Sequence, residues 1–226
     1  MTYELGVIGG MGPLATNVFY QYLIDHTEAH GDQDHINTII LSHATMPDRS
    51  ACILSGDTAP LLRQMKADFD LLRPLGLKAI AIPCNTSHYF YDTFCTYTDT
   101  PIINMVEESI KECVRRGDKK VVVLATSGTR KSRVYEHYAA KHGLSCLAID
   151  EADAERVMEI IYAVKKENRR DFPELLRMID QYSNKGRVIL ACTELSAIPV
   201  GDRPVIDALK VLGNEAIRKC RGNGPV

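Results

Sequence analysis

The 226-residue chain has no excess of charge in either sense: 27 Lys and Arg stand against 29 Asp and Glu, a formal net charge of −2. Nucleic acids are held chiefly through clustered Lys and Arg, and this sequence offers no such field. Its densest basic cluster, Lys165, Lys166, Arg169 and Arg170, is interrupted by Glu167 and Asn168 and reads as a solvated helix end. No apolar run approaches the roughly 18 residues of a membrane span, so no membrane partner is expected. The opening MTYELGVIGG lacks the basic n-region and long apolar core of a secretory signal. There is no C-x-x-C pair. The seven cysteines (Cys52, Cys84, Cys95, Cys113, Cys146, Cys192 and Cys220) are odd in number and scattered. That disfavours a disulfide framework or a structural zinc and fits a reducing cytoplasm.

What the sequence has is alternation. Strand-like apolar runs fall at 5–8, 36–41, 77–82, 101–103, 121–124, 144–149, 188–191 and 204–206. Helical stripes lie between them, such as Leu61, Met65, Phe69 and Leu72, or Val157, Ile161 and Val164. This order predicts an α/β protein with largely parallel sheets. The chain also looks duplicated. LGVIGGMGPLAT and, later, LKAIAIPCNT in the first half correspond to VVVLATSGTRKS and GRVILACTEL in the second. The expectation is two pseudo-symmetric α/β lobes, residues 1–100 with 207–226 and residues 101–206, with the active site in the cleft between them. Parallel sheets bind ligands beyond the carboxyl ends of their strands. A last helix near 208–219 folds back on the first lobe, and the Gly/Pro-rich tail from Arg221 to Val226 reads as frayed.

Gly10-Met11-Gly12-Pro13-Leu14-Ala15 spells G-x-G-x-x-A after an apolar strand. A dinucleotide fold needs an acid at the end of its second strand for the ribose hydroxyls. Here that strand ends in Ser42-His43, and Asp32 and Asp34 precede it. The loop is therefore read as lining a small-molecule cleft near Met11 and Gly12.

Two of the seven cysteines occupy equivalent loci. Cys84 follows AIAIP and precedes Asn85-Thr86; Cys192 follows VILA and precedes Thr193-Glu194; the two lie 108 positions apart, about half the chain. A thiol at a helix N-terminus sees unpaired N–H groups and the positive dipole end, which predicts a lowered pKa. Two opposed thiols suit inversion of a carbon stereocentre: one removes a proton from one face while the other returns one to the opposite face. Asn85, Thr86, Thr193 and the loop Thr126-Ser127-Gly128-Thr129 supply donors for the α-carboxylate and acceptors for the α-ammonium of a small amino acid. His88, four residues beyond Cys84, lacks companions for a zinc site and reads as structural. The competing class is a non-catalytic α/β protein that binds an amino acid or a nucleotide.

The segments GVIGGMGPLAT, MPDRS, IPCNTSH, LATSGTRKSRVY, IYAVKK and ACTEL resemble, in this order, the Asp/Glu racemases, and specifically their aspartate racemase branch. The resemblance covers about residues 4–207. It implies racemisation of acidic amino acids without pyridoxal phosphate or metal, Cys84 and Cys192 as the two bases, and a homodimer. It also implies that Arg49 and Lys166 recognise substrate. Read without the resemblance, Arg49 suits a surface ion pair with Asp48, and Lys165 competes with Lys166. One departure is Ser196, which stands where the family commonly has proline and leaves the shape of that turn open. Glutamate or a wider range of amino acids are the alternative substrates.

Overall fold

A computed structural model describes residues 3–222. Residues 223–226 of the tail expected to fray lie outside that range. Arg221, the first residue of that tail, is not frayed: it ends the last helix, and its Nη1 donates to both Glu4 carboxylate oxygens at 3.0 Å.

Two wholly parallel sheets make up the frame. In the first, β1 (Leu5–Gly9) lies between β2 (Thr38–Ser42) and β3 (Ala79–Ala81). In the second, β4 (Lys120–Ala125) lies between β5 (Ser145–Leu147) and β6 (Arg187–Ala191), with β7 (Val205–Asp207) outside β6. The first strand of each half is central and its second and third strands flank it, so the duplication read from the sequence is built into the sheets. The expected strand at 101–103 is reduced to one bridge, Ile80 to Ile102, in the place where β7 pairs with β6.

Helices make the crossovers. α1 (Pro13–His26) begins at a proline whose missing N–H costs nothing there. α2 (Arg49–Ser55) and α3 (Ala59–Leu72) lead to β3; α4 (Tyr91–Cys95) and α5 (Met105–Arg115) lead to β4. α6 (Ser127–Ser132) and α7 (Val134–Lys141) precede β5, α8 (Glu151–Glu167) and α9 (Pro173–Ser183) precede β6, and α10 (Ala208–Arg221) follows β7. Among the described residues no helix is long and apolar enough to cross a membrane.

The predicted stripes face inward: Leu61, Met65, Phe69 and Leu72 of α3, and Val157, Ile161 and Val164 of α8, are all buried. Burying each such side chain contributes about 1.5–3 kcal/mol. α3 covers the outer face of the first sheet, and α8 and α9 cover the outer face of the second. The inner faces share one core, in which Leu5, Val7, Ala79 and Ala81 join Val121, Ile189 and Ala191 through α5 and α10. α10 packs against α1, α5 and β3, which fixes the two sheets against each other and sets the geometry of the cleft at their carboxyl ends.

Candidate active site

Four strand ends meet at the cleft. From β1 comes the glycine turn, where Gly10 has φ +83° and any Cβ would strike the backbone of His43. Glycine is therefore required, and the turn carries Met11 into the cleft. From β3 comes Cys84 and from β6 comes Cys192, each 6% exposed and lining the same small cavity. From β4 comes Thr126. The cavity is tight, about 20 Å³, scarcely more than one water fills. Larger surface grooves exist, including one of about 440 Å³ by Leu54, Arg130 and Cys146, but these hold neither of the paired thiols. Among the described residues no group of three or more His, Cys, Asp or Glu is arranged to hold a metal.

The Cys84 turn is locked through its backbone. Its carbonyl accepts from Ser87 Oγ at 2.8 Å and from His88 Nδ1 at 2.9 Å. Burial lowers the pKa of His88. A neutral ring with its proton on Nδ1 donates to Cys84 and accepts from the Met105 N–H at Nε2, 3.3 Å away. His88 thus holds the turn rather than the thiol. The helix expected after Cys84 is a 3-10 turn, Thr86–Phe90, followed by the short α4. Leu195–Ala197 after Cys192 is likewise 3-10.

Arg49, read from the residues alone as a surface ion pair with Asp48, is instead a buried first residue of α2. Asp48 caps that helix by accepting from the Ala51 N–H at 2.8 Å. The guanidinium is gripped by carbonyls: Nη1 donates to Pro47 at 2.9 Å and Nη2 to Met11 at 2.9 Å. Its Nε is buried with no partner. Burial opposes its charge, but the facing Cys84, Asp48 and Glu194 outweigh this and raise its pKa.

Asn85 is 2% exposed; its Oδ1 accepts from Tyr135 Oη at 2.6 Å, and its Nδ2 is unpaired. Since the phenol donates to one end of the amide, the donor end is left for the cleft. Thr86 Oγ1 lies 2.9 Å from Thr126 Oγ1 and 3.0 Å from Thr129 Oγ1, and Thr126 and Thr129 are 3.0 Å apart. This buried triangle ties the Cys84 turn to α6. Gly128 lets α6 press on α2, since a Cβ there would lie 2.6 Å from Ser50 Cα.

Of the residues expected to bind substrate, Met11, Arg49, Asn85, Thr86, Thr126 and Thr193 line the cavity. Gly12, Ser127, Gly128, Thr129 and Lys166 do not. Gly12 caps α1 and leaves room for Glu194, whose Oε1 would lie 3.1 Å from a Cβ there. Ser127 gives its N–H to Met158 Sδ at 3.1 Å, and Thr129 serves the hydroxyl triangle. Lys166 points to solvent, and Lys165 lines the cavity instead. Helical spacing carries the reason: Lys165 lies four residues after buried Ile161, whereas Lys166 lies four after Tyr162, which is 52% exposed.

Sequence reasoning missed Asp48, Ser50 and above all Glu194 as lining groups and left Lys165 as the alternative to Lys166. Cys192 Sγ donates to Glu194 Oε2 at 2.9 Å, and Lys165 Nζ lies 3.7 Å from Oε1. Burial and the Glu194 charge push the Cys192 pKa well up, against the partial relief of Lys165. The lowered pKa expected from a helix N-terminus is therefore reversed at this thiol: a short 3-10 turn supplies little dipole, and a carboxylate stands against the sulfur. Lys165 itself loses to burial but gains more from Glu194 and the two thiols, and its pKa is raised. The turn at Ser196 is kept by a different bond, Oγ to Asp207 Oδ1 at 2.6 Å.

Comparison with known proteins matches residues 8–216 to the family described as Asp/Glu/Hydantoin racemase. The broad specificity amino-acid racemase RacX of Bacillus subtilis is 29% identical over 226 residues, covering 94% of this chain and 96% of its own. The aspartate racemase of Picrophilus torridus superposes with a TM-score of 0.85 at 27% identity, covering 96% of this chain and 94% of its own. A glutamate racemase of Thermus thermophilus shares the fold at 19% identity, with a TM-score of 0.61 over all of this chain and 84% of that one.

Proposed function

This chain belongs to the Asp/Glu/hydantoin racemase family, and from that premise we propose that it interconverts L- and D-aspartate by 1,1-proton transfer between Cys84 and Cys192. The observation that carries the reading is the pair itself: two buried thiols on equivalent strand ends, facing one cavity. One sulfur removes the α-proton, the carbanion forms between them, and the other sulfur returns a proton to the opposite face. Each thiol contributes about 10²–10⁴-fold as acid or base.

The carbanion needs stabilisation at the α-carboxylate. The unpaired donor Asn85 Nδ2 suits that task, because a buried donor without a partner gains most from a charged acceptor. With the α-carboxylate on Asn85 and Thr193, Arg49 and Lys165 remain as cations for the side-chain carboxylate, which favours an acidic substrate. The reaction uses no cofactor. A homodimer in the cytoplasm is part of the same proposal and rests on the resemblance alone; light scattering on the purified protein tests the assembly.

A wider substrate range is the second reading, favoured by the similarity to the broad specificity racemase of Bacillus subtilis. Both readings are tested by incubating the protein with L- and then D-aspartate in D2O without pyridoxal phosphate. The product is followed by chiral chromatography and mass spectrometry. Deuterated opposite enantiomer from both sides is expected. Equal turnover of neutral amino acids establishes the wider range; no exchange across an amino-acid panel refutes both readings and favours a binding protein.

A further inference from the structure

The reaction proposed above gives Glu194 no task, yet it is the side chain in direct contact with one of the two sulfurs. It is 3% exposed, two residues beyond Cys192, and accepts the Cys192 thiol proton on Oε2 at 2.9 Å. Its Oε1 has no hydrogen-bond partner and lies 3.7 Å from Lys165 Nζ. A buried carboxylate with one oxygen unpaired is costly. Cys84 is differently equipped: it faces Arg49, and among the described residues no carboxylate hydrogen-bonds to it. The geometry also sets a constraint. With its S–H directed at Glu194, Cys192 presents lone pairs, not a proton, to the rest of the cavity.

We infer that Glu194 is the proton acceptor behind Cys192, a positioning residue that takes the thiol proton as the sulfur takes the α-proton of the enantiomer facing it. The inference rests on the racemase reading. At the start both sulfurs carry protons and Glu194 is a carboxylate. The substrate C–H bond breaks, its electron pair stays on the α-carbon, and a new S–H bond forms on Cys192. The S–H bond directed at Glu194 breaks, and that proton forms an O–H on Oε2. Cys84 then gives its proton to the opposite face and is left as a thiolate beside Arg49. One proton has left Cys84 and one has appeared on Glu194, so total charge is unchanged. In reverse, the Cys84 thiolate removes the α-proton of the other enantiomer. Cys192 delivers its proton to the carbanion and regains one from Glu194. Free Cys192 thiolate beside a second anion is never required, and Lys165 offsets the carboxylate when the proton is absent.

The test is enantiomer-resolved. Wild type, Glu194→Gln, Glu194→Asp, Cys192→Ser and Cys84→Ser are incubated separately with D- and L-aspartate in D2O, and initial α-proton washout is read by mass spectrometry. Circular dichroism confirms folding. Gln keeps the size and an acceptor oxygen but takes no proton. Glu194→Gln should therefore lose washout about tenfold or more from the enantiomer that Cys192→Ser also loses. It should stay within about threefold of wild type for the enantiomer that Cys84→Ser loses. Glu194→Asp should show the same selectivity with a smaller loss, and it carries the test if the Gln variant does not fold. Equal losses on both enantiomers, or loss on the side of Cys84, overturn the inference while leaving the racemase reading intact. Wild type with no washout from any amino acid overturns both.

Discussion

The turn after β3 and the turn after β6 leave equivalent strands, carry equivalent cysteines and continue as 3-10 turns, of five residues and of three. Their surroundings diverge. Cys84 faces a guanidinium fixed by three backbone carbonyls. Cys192 touches a carboxylate backed by a lysine. The two turns thus share the position of the thiol and differ in the charge beside it. A reaction that passes one proton across a plane has use for that asymmetry, because one side of the site must take up a proton as the other gives one up. At Cys192, burial and the carboxylate together hold the proton on the sulfur.

Cutting either sulfur tests this comparison with the largest effect. Cys84→Ser and Cys192→Ser should each lower racemisation about 10²–10⁴-fold, measured by chiral chromatography. A single variant that racemises at the wild-type rate breaks the two-thiol account. Arg49 comes next. Arg49→Lys should lower kcat/KM for aspartate about 10–10²-fold, because a point charge cannot replace a fork held by several carbonyls. An unchanged kcat/KM means that Arg49 only props the turn. Lys165→Met should cost about tenfold in kcat/KM, the worth of one charge-assisted contact, and Lys166→Met should match wild type; a reversed order returns the substrate contact to Lys166. The smallest effect concerns the seam between the halves. Thr86→Val removes one corner of the hydroxyl triangle and should lower unfolding stability by about 1 kcal/mol, read by urea denaturation. No change means that the triangle does not tie the Cys84 turn to α6.

Much of this frame was legible in the sequence. Apolar periodicity reported strands and stripes because burial selects side chains by face, and seven of the eight apolar runs became strands close to their expected places. The eighth, at 101–103, is a single bridge, since three apolar residues after a proline do not say whether a neighbouring strand will pair with them. The two cysteines were found because they terminate repeated strand patterns. Glu194 was not, although it stands in the same quoted segment. Its value comes from a turn that folds it back onto residue 192, and no periodicity marks a turn of three residues. Lys165 and Lys166 stayed alternatives for a narrower reason: adjacent residues on a helix point about 100° apart, and a run of charged residues does not show which of two lysines turns inward. The expected pKa of Cys192 had the wrong sign because a helix end was assumed and the carboxylate beside the sulfur was not visible in one dimension.

The central claim is that the two thiols serve opposite faces of one carbon. The measurement that meets it most directly is α-proton washout in D2O from each pure enantiomer of aspartate by Cys84→Ser and Cys192→Ser. The account predicts a crossed result: neither variant inverts the substrate, each exchanges only one enantiomer, and the two variants differ in which one. Both variants exchanging the same enantiomer, or either one exchanging both, would contradict it.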